Sequence, residues 1–282
     1  MFERVLVSMD LSPATQPLMS VAEALPGLGT RRVILAHVVK PIDPSATGSL
    51  ARQELARDAL EPHAERLREK GMHTVVEVVV GSPGTEIVRL ARREDPSVIL
   101  MGSRSRTALR EAFLGSTTWE VLRRAHRPVL IYRIEEHDAR ETPEIQTPGR
   151  PKRVIYPTDF SDTAERALHW VEGLAGLGVE SFTLVHVLPS EDIEAEKTAT
   201  ERLEGLGERL REAGAREVEI EISVGSPADE ILAREGRSSQ TMVVMGSHGH
   251  GFLPEMVMGS EARQVARRAI SPLLIVPAEE TE

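Results

Sequence analysis

Two acids and two glycine-rich segments are the residues best suited to chemistry. Asp10 and Asp159 each close a short apolar run, in RVLVSMDLS and RVIYPTDFS, and Gly246, Gly249, Gly259 and Ser260 are spaced as G-x2-G-x9-G-S within GSHGHGFLPEMVMGS. Glycine lets a turn adopt positive φ and lets peptide N–H groups approach an anion with no Cβ in the way. Ser260, Glu261, Val265 and Ala269 follow helical spacing. The Gly259-Ser260 step therefore falls at a helix N-terminus, where unpaired N–H groups and the positive dipole end favour phosphate. The Ser260 hydroxyl would add a donor. Asp10 and Asp159 have a plainer reading, as caps of the helices that follow them. His248 and His250 flank a glycine of the same turn, but the spacing places no third metal ligand, so they read as solvent-facing. His37 and His186 lie mid-strand and read as satisfied, partly buried imidazoles. Met242, Met245, Met256 and Met258 read as core filling or a hydrophobic lid.

These residues recur because the chain repeats itself. Asp10 answers Asp159 and His37 answers His186 at an offset of 149, while Gly81 answers Gly225, Gly102 answers Gly246 and Pro128 answers Pro272 at 144. The change of five lies between the His and the GSP turn, one length difference inside a helical connection. A charged, proline-bearing stretch from Ile134 to Lys152 without apolar periodicity reads as a linker. It divides the chain into a first domain 1–134, a linker 135–151 and a second domain 152–282.

In the second half Val154 to Tyr156, Phe182 to Val187, Val218 to Val224, Thr241 to Met245 and Leu273 to Val276 read as strands. Helical patterns separate them. Leu203, Leu206, Leu210 and Ala213 make one apolar face that stops at Gly214, and Leu60, Ala64 and Leu67 do the same before Gly71. Ser82-Pro83 and Ser226-Pro227 suit N-cap and first-turn positions. Alternating β and α elements with near-continuous apolar strands predict an α/β fold, two tandem doubly wound domains each built on a parallel sheet with helices on both faces. Ligands of such sheets bind beyond the carboxyl ends of the strands, where the strand order reverses.

Composition narrows the function classes. With 34 Lys plus Arg against 44 Asp plus Glu the net charge is −10, a field that repels nucleic acid and anionic membrane, and aromatics at 3% supply few stacking platforms. Cysteine is absent, which removes disulfides, thiolate zinc sites and cysteine nucleophiles. No apolar run approaches the ~20 residues of a membrane helix. The N-terminus MFERVLVSMD shows neither a basic leader nor a small-residue cleavage site, so a cytoplasmic location is expected.

With its motif complete in Gly246, Gly249, Gly259 and Ser260 and with VIYPTDFSDTAERAL upstream, the chain resembles the universal stress proteins, specifically their nucleotide-binding members, as two tandem copies. The resemblance implies five-stranded sheets of order 3-2-1-4-5 and ATP or ADP as ligand, with a divalent metal such as Mg2+ on the phosphates. It implies that Asp159 binds the ribose hydroxyls, that the backbone of Val187 meets adenine, and that Pro157 and Thr158 line the base pocket. Asp10, Val38, Gly102, Gly115 and Ser116 are their counterparts in the first half. It also implies pairing through fifth strands, as an intrachain pseudo-dimer and a homodimer, and an unidentified protein partner.

The first half departs from the motif. In GSRSRTALREAFLGST Ser105 stands where the second glycine belongs, and Arg104, Arg106 and Arg110 could offset its Cβ by pairing with phosphate. SMD in place of PTD alters the base pocket. Three functions stay open: a nucleotide-dependent regulatory protein, an ATPase no faster than slow hydrolysis, and a tandem scaffold without ligand. There is neither a Walker lysine motif nor an HxGH signature to support a dedicated phosphoryl-transfer enzyme.

Overall fold

Strands that are apolar on both faces have to be covered on both faces, and the helical segments between them supply the cover. The computed structural model describes residues 1–282 apart from 42–45, 107–113, 137–149, 237–239, 251–257 and 279–282. Two units divide the chain, Met1–Gly149 and Arg150–Glu282.

In the first unit β1 (Arg4–Met9), β2 (Arg32–Val39), β3 (His73–Val80), β4 (Val98–Arg106) and β5 (Val129–Glu136) alternate with α1 (Thr15–Ala24), α2 (Ala46–Glu69), α3 (Pro83–Glu94) and α4 (Ser116–Arg124). The second unit repeats this with β6 (Arg153–Pro157), α5 (Asp162–Gly176), β7 (Ser181–Leu188), α6 (Ile193–Glu212), β8 (Glu217–Val224), α7 (Pro227–Arg234), β9 (Thr241–Gly246), α8 (Ser260–Arg268) and β10 (Leu273–Val276). Strand order is β3-β2-β1-β4-β5 in one and β8-β7-β6-β9-β10 in the other, with parallel pairing within each. The expected 3-2-1-4-5 order is therefore present twice. The expected linker lies mostly outside the described residues, and β5 runs two residues into it, through Glu136.

The central strands carry the core: Val5, Leu6 and Val7 of β1 and Val154 and Ile155 of β6 are fully buried. Edge strand β8 instead keeps Glu217, Glu219 and Glu221 outside the core, charges that protect an open sheet edge from pairing with another chain. Leu203 and Leu210 of α6 are fully buried, while Leu206 and Ala213 are half-buried at the flanks. Gly207 takes the centre of that face because β8 comes close: a Cβ there would lie 3.4 Å from Val218 Cγ1. Gly71 (φ 84°) and Gly214 (φ 114°) adopt the left-handed conformation that follows a helix end, as their positions predicted. Ser82 and Ser226 are N-caps of α3 and α7, though only the Ser226 hydroxyl accepts a capping bond, from the Asp229 N–H.

Helices α7 and α8 are tied by Arg268, whose Nη1 donates to Asp229 Oδ1 at 2.6 Å. Within α7 Arg234 donates to Glu230 Oε2 at 2.8 Å. Each bond holds its carboxyl below the ordinary 3.8 and 4.5 of Asp and Glu. A carboxyl whose folded pKa is depressed contributes stability above its unfolded value and loses it as pH falls through the folded one. The thermal midpoint of the second half is therefore expected to fall below about pH 4.5, and Arg268→Ala should flatten part of that acid limb. A limb unchanged in the variant would assign the acid sensitivity to other groups.

Candidate functional site

The crevice in the second half starts with a proline. Thr158 N–H donates to Val185 O on β7 at 2.8 Å, so the alternate position, Pro157, faces β9 with no hydrogen to give. Pairing of β6 with β9 accordingly ends at Ile155↔Val243. In the first half Ser8 holds the equivalent place and β1 pairs with β4 on to Ser8↔Met101. The strand order reverses between β6 and β9, which is where a doubly wound sheet opens.

Both acids sit in the same tight turn. Leu11 (φ 54°) and Phe160 (φ 63°) are left-handed without being glycine. Asp10 Oδ1 accepts from Ser12 N (3.1 Å) and Ser12 Oγ (2.6 Å), and Asp159 Oδ1 accepts from Ser161 N (3.1 Å) and Ser161 Oγ (2.7 Å). Ser161 is the N-cap of α5 and accepts from Ala164 N. The acids are thus not caps themselves; Asp159 fixes the serine that caps α5, and Asp10 fixes Ser12, whose Oγ accepts from the N–H of Ala14, the N-cap of α1. His37 Nδ1 lies 2.8 Å from Met9 O, and His186 Nδ1 lies 2.8 Å from Thr158 O. A carbonyl can only accept, so Nδ1 carries the hydrogen and each histidine pins the peptide leading into its acid. Both imidazoles are satisfied, as expected. Phe160 packs on His186 with ring centroids 4.7 Å apart, and the Arg202 guanidinium covers its ring at 3.9 Å.

β10 ends at Val276 opposite the end of β9 at Gly246, and there the chain turns. Ser247 N–H donates to Val276 O (2.8 Å), Gly259 N–H to Ser247 O (2.9 Å), and His250 N–H to Asp159 Oδ2 (2.7 Å). Of the two things glycine permits, positive φ and close approach, the first is not used: Gly102, Gly115, Gly246, Gly249 and Gly259 all lie outside that region. What three of them satisfy is close approach. A Cβ on Gly246 would stand 2.9 Å from Thr163 Cγ2 and 3.0 Å from the Thr163 backbone, one on Gly249 would collide with Asp159 Oδ2, and one on Gly259 would stand 3.3 Å from Ser247 O.

Pro157, Thr158, Asp159, Val187, Gly246, Gly249, Gly259 and Ser260, all eight expected positions, line one cavity of about 320 Å³. Sequence reasoning missed Glu261. Its Oε2 accepts from Ala228 N, capping α7 at 2.9 Å, and its Oε1 accepts from Ser260 Oγ at 3.3 Å. The Ser260 hydroxyl, expected to point to a ligand, is therefore turned to a carboxylate. With Gly259 N–H spent on Ser247, the peptide donors left at the mouth are the first amides of α8, at Ser260, Glu261 and Ala262, which receive no side-chain cap. Asp159 and Glu261 give the lining two carboxylates, and no Lys or Arg is among its described residues. His250 is exposed as expected, whereas His248 is half-buried with Nδ1 2.8 Å from Ser247 Oγ. Met242, Met245 and Met258 are buried, and Met256 lies outside the described residues.

In the first half Asp10, Val38, Gly102, Gly115 and Ser116 likewise line one cavity, of about 860 Å³. The expected phosphate turn after Gly102 is replaced by strand: β4 continues through Arg106, with Ser105 opposite Glu135. Arg133 stands where the second half has Pro277, and β5 runs on through Glu136. Arg133 is buried and its Nη1 donates to Ser103 Oγ at 2.9 Å. Arg104 and Arg106 lie on the strand extension, and Arg110 falls outside the described residues.

The model of the Universal stress protein family matches residues 1–133 and 151–277. The chain belongs to that family. A universal stress protein of Mycolicibacterium smegmatis is 26% identical over 295 aligned residues, covering 96% of each chain. One from Methanocaldococcus jannaschii is 28% identical over 153 residues, 44% of this chain and 94% of that one. The crystal structure of a universal stress protein from Archaeoglobus fulgidus superposes with a TM-score of 0.77 at 24% identity, over 98% of this chain and 99% of that chain. The whole length is thus a tandem universal stress protein fold. Among the described residues no helix is long and apolar enough to cross a membrane.

Proposed function

We propose that this tandem universal stress protein is a regulatory protein governed by an adenine nucleotide, ATP or ADP, held in the second-half cleft. The observation that carries the reading is the convergence of eight positions from β6, β7, β9 and α8 on one cavity at the reversal of strand order. In this reading Asp159 takes the ribose hydroxyls, the backbone of Val187 takes adenine between Pro157 and Thr158, and the amides of Ser260 to Ala262 take phosphate. Asp159 Oδ2 exchanges the His250 N–H for the sugar. Mg2+ would be carried by the phosphates themselves, since both Glu261 oxygens are hydrogen-bonded and no cluster of three candidate metal ligands lies among the described residues.

Regulation is favoured over turnover. Phosphoryl transfer needs a positioned acceptor and a charge-stabilising cation, and the described lining supplies no Lys or Arg. Slow hydrolysis is the most expected. One observation favours a ligand-free scaffold instead: Glu261 already occupies Ser260 and Ala228. Titration separates the two. Nucleotide at ~100 times its Kd should stabilise the fold by about 2.7 kcal/mol, and a protein showing neither heat nor a shifted midpoint with ATP or ADP would be the scaffold. Association into a homodimer belongs to the same reading, and sedimentation at the 31.0 kDa of one chain would remove it.

A further inference from the structure

We propose that the two clefts sort ligands by charge, and that the first-half cleft, whose glycine motif is incomplete, is the tighter site for a polyphosphate chain. The inference rests on the nucleotide reading above and adds a second site to it. Lys40, just past the end of β2, and Arg52 of α2 line the first-half cavity, with Arg52 Nη1 donating to Lys40 O at 3.5 Å. The carboxylate lining that cavity, Asp10, already accepts from Ser12 N and Oγ. Among the described residues two cations and one acid line the first cleft, and two acids with no Lys or Arg line the second. A triphosphate carries several negative charges, so it distinguishes these surroundings where adenosine does not.

The helix that ends each cleft differs in the same sense. The first turn of α8 holds Glu261, whereas the first turn of α4 holds no acid and presents Ser116, Thr117 and Thr118 to the cavity. Thr117 is the counterpart of Glu261 at the offset of 144. The carboxylate beside Ser116 and Thr117 is Glu120, one turn further on, and its Oε1 already accepts from Thr85 Oγ1 at 2.8 Å and from Arg124 Nη1 at 3.1 Å. Ser105 is no obstacle. A glycine is required there by a turn over the cleft, and the first half makes a strand instead.

An independent observation points to an occupant. Thr15 lines the cavity, is 8% exposed, and its hydroxyl has no hydrogen-bond partner. Buried polar groups without partners are rare, and an occupant of the cleft would give this one a partner. The second half has Ala164 in its place.

The test is calorimetric titration of the full chain with adenosine, AMP, ATP and inorganic tripolyphosphate. In Lys40→Glu/Arg52→Glu, one ATP site is expected to weaken at least tenfold while adenosine binding holds. Thr117→Glu, which installs the second half's carboxylate, should do the same, and Glu261→Thr should tighten ATP at the other site. Thr15→Val should raise the unliganded thermal midpoint yet weaken ATP, a pair of changes that a purely structural hydroxyl would not produce. Tripolyphosphate binding that vanishes in the double variant shows that the chain of phosphates is read by itself; ATP binding alone shows that the nucleoside is read with it. Either outcome supports the inference. ATP binding indifferent to Lys40, Arg52 and Thr117 but lost in Gly249→Ala would overturn it and leave the second-half site standing. Absence of heat with every adenine compound would instead remove the nucleotide reading itself.

Discussion

Replacing Gly249 with alanine is expected to weaken adenine-nucleotide binding in the second half by about 3 kcal/mol, roughly a hundredfold, in a protein that still folds. The new methyl group would occupy the space of Asp159 Oδ2. That carboxylate cannot swing aside without cost, because Ser161 N, Ser161 Oγ and His250 N all donate to it. The substitution therefore displaces the group that takes the ribose while leaving the buried strands untouched. Circular dichroism should match the parent, and titration should lose the second-half site. Retained affinity in a folded variant would mean that Asp159 is not in contact with the ligand.

Gly246→Ala is expected to act on the fold. Its methyl would press on the Thr163 backbone, carbon and oxygen both at 3.0 Å, so α5 has to move off β9. Overpacking of this kind costs about 2 to 3 kcal/mol, a drop of roughly 10 °C in a unit of this size. The same change at the equivalent motif position of the first half should be mild. A methyl on Gly102 meets Ile134 Cδ1 at 2.5 Å, the end of a side chain that can rotate, with Leu18 Cδ2 next at 3.7 Å. A loss of about 1 kcal/mol or less is expected there. Comparable losses at both positions would show that glycine serves backbone conformation at this place and not contact.

Local pattern made much of this legible. The repeated Asp, His and Gly landmarks placed both crevices, and β-branched runs between helical faces gave strand identities that the structure reproduces. Hidden from that reading was whatever depended on partners distant in sequence. Glu261 looks like an ordinary first-turn acid until Ala228, 33 residues earlier, is found under it. The motif glycines left unusual φ and close approach equally open, and only Thr163 and Asp159, distant in sequence, show that proximity requires them. The turn after Gly246 and the strand after Gly102 look alike in their own sequences. Their difference appears on the neighbouring strand, where β10 ends at Val276 and β5 runs through Glu136, outside either glycine segment.

Pro157 leaves a last consequence. Because β6 and β9 share no rungs beyond Ile155↔Val243, a guest wedged between their ends breaks no hydrogen bond as it spreads them. In the first half the same spreading would unzip Val7↔Leu100 and Ser8↔Met101. One mouth can spread without losing a rung while the other is held by two, so deuterium uptake at the strand ends of the first unit should stay low unless a guest forces them apart.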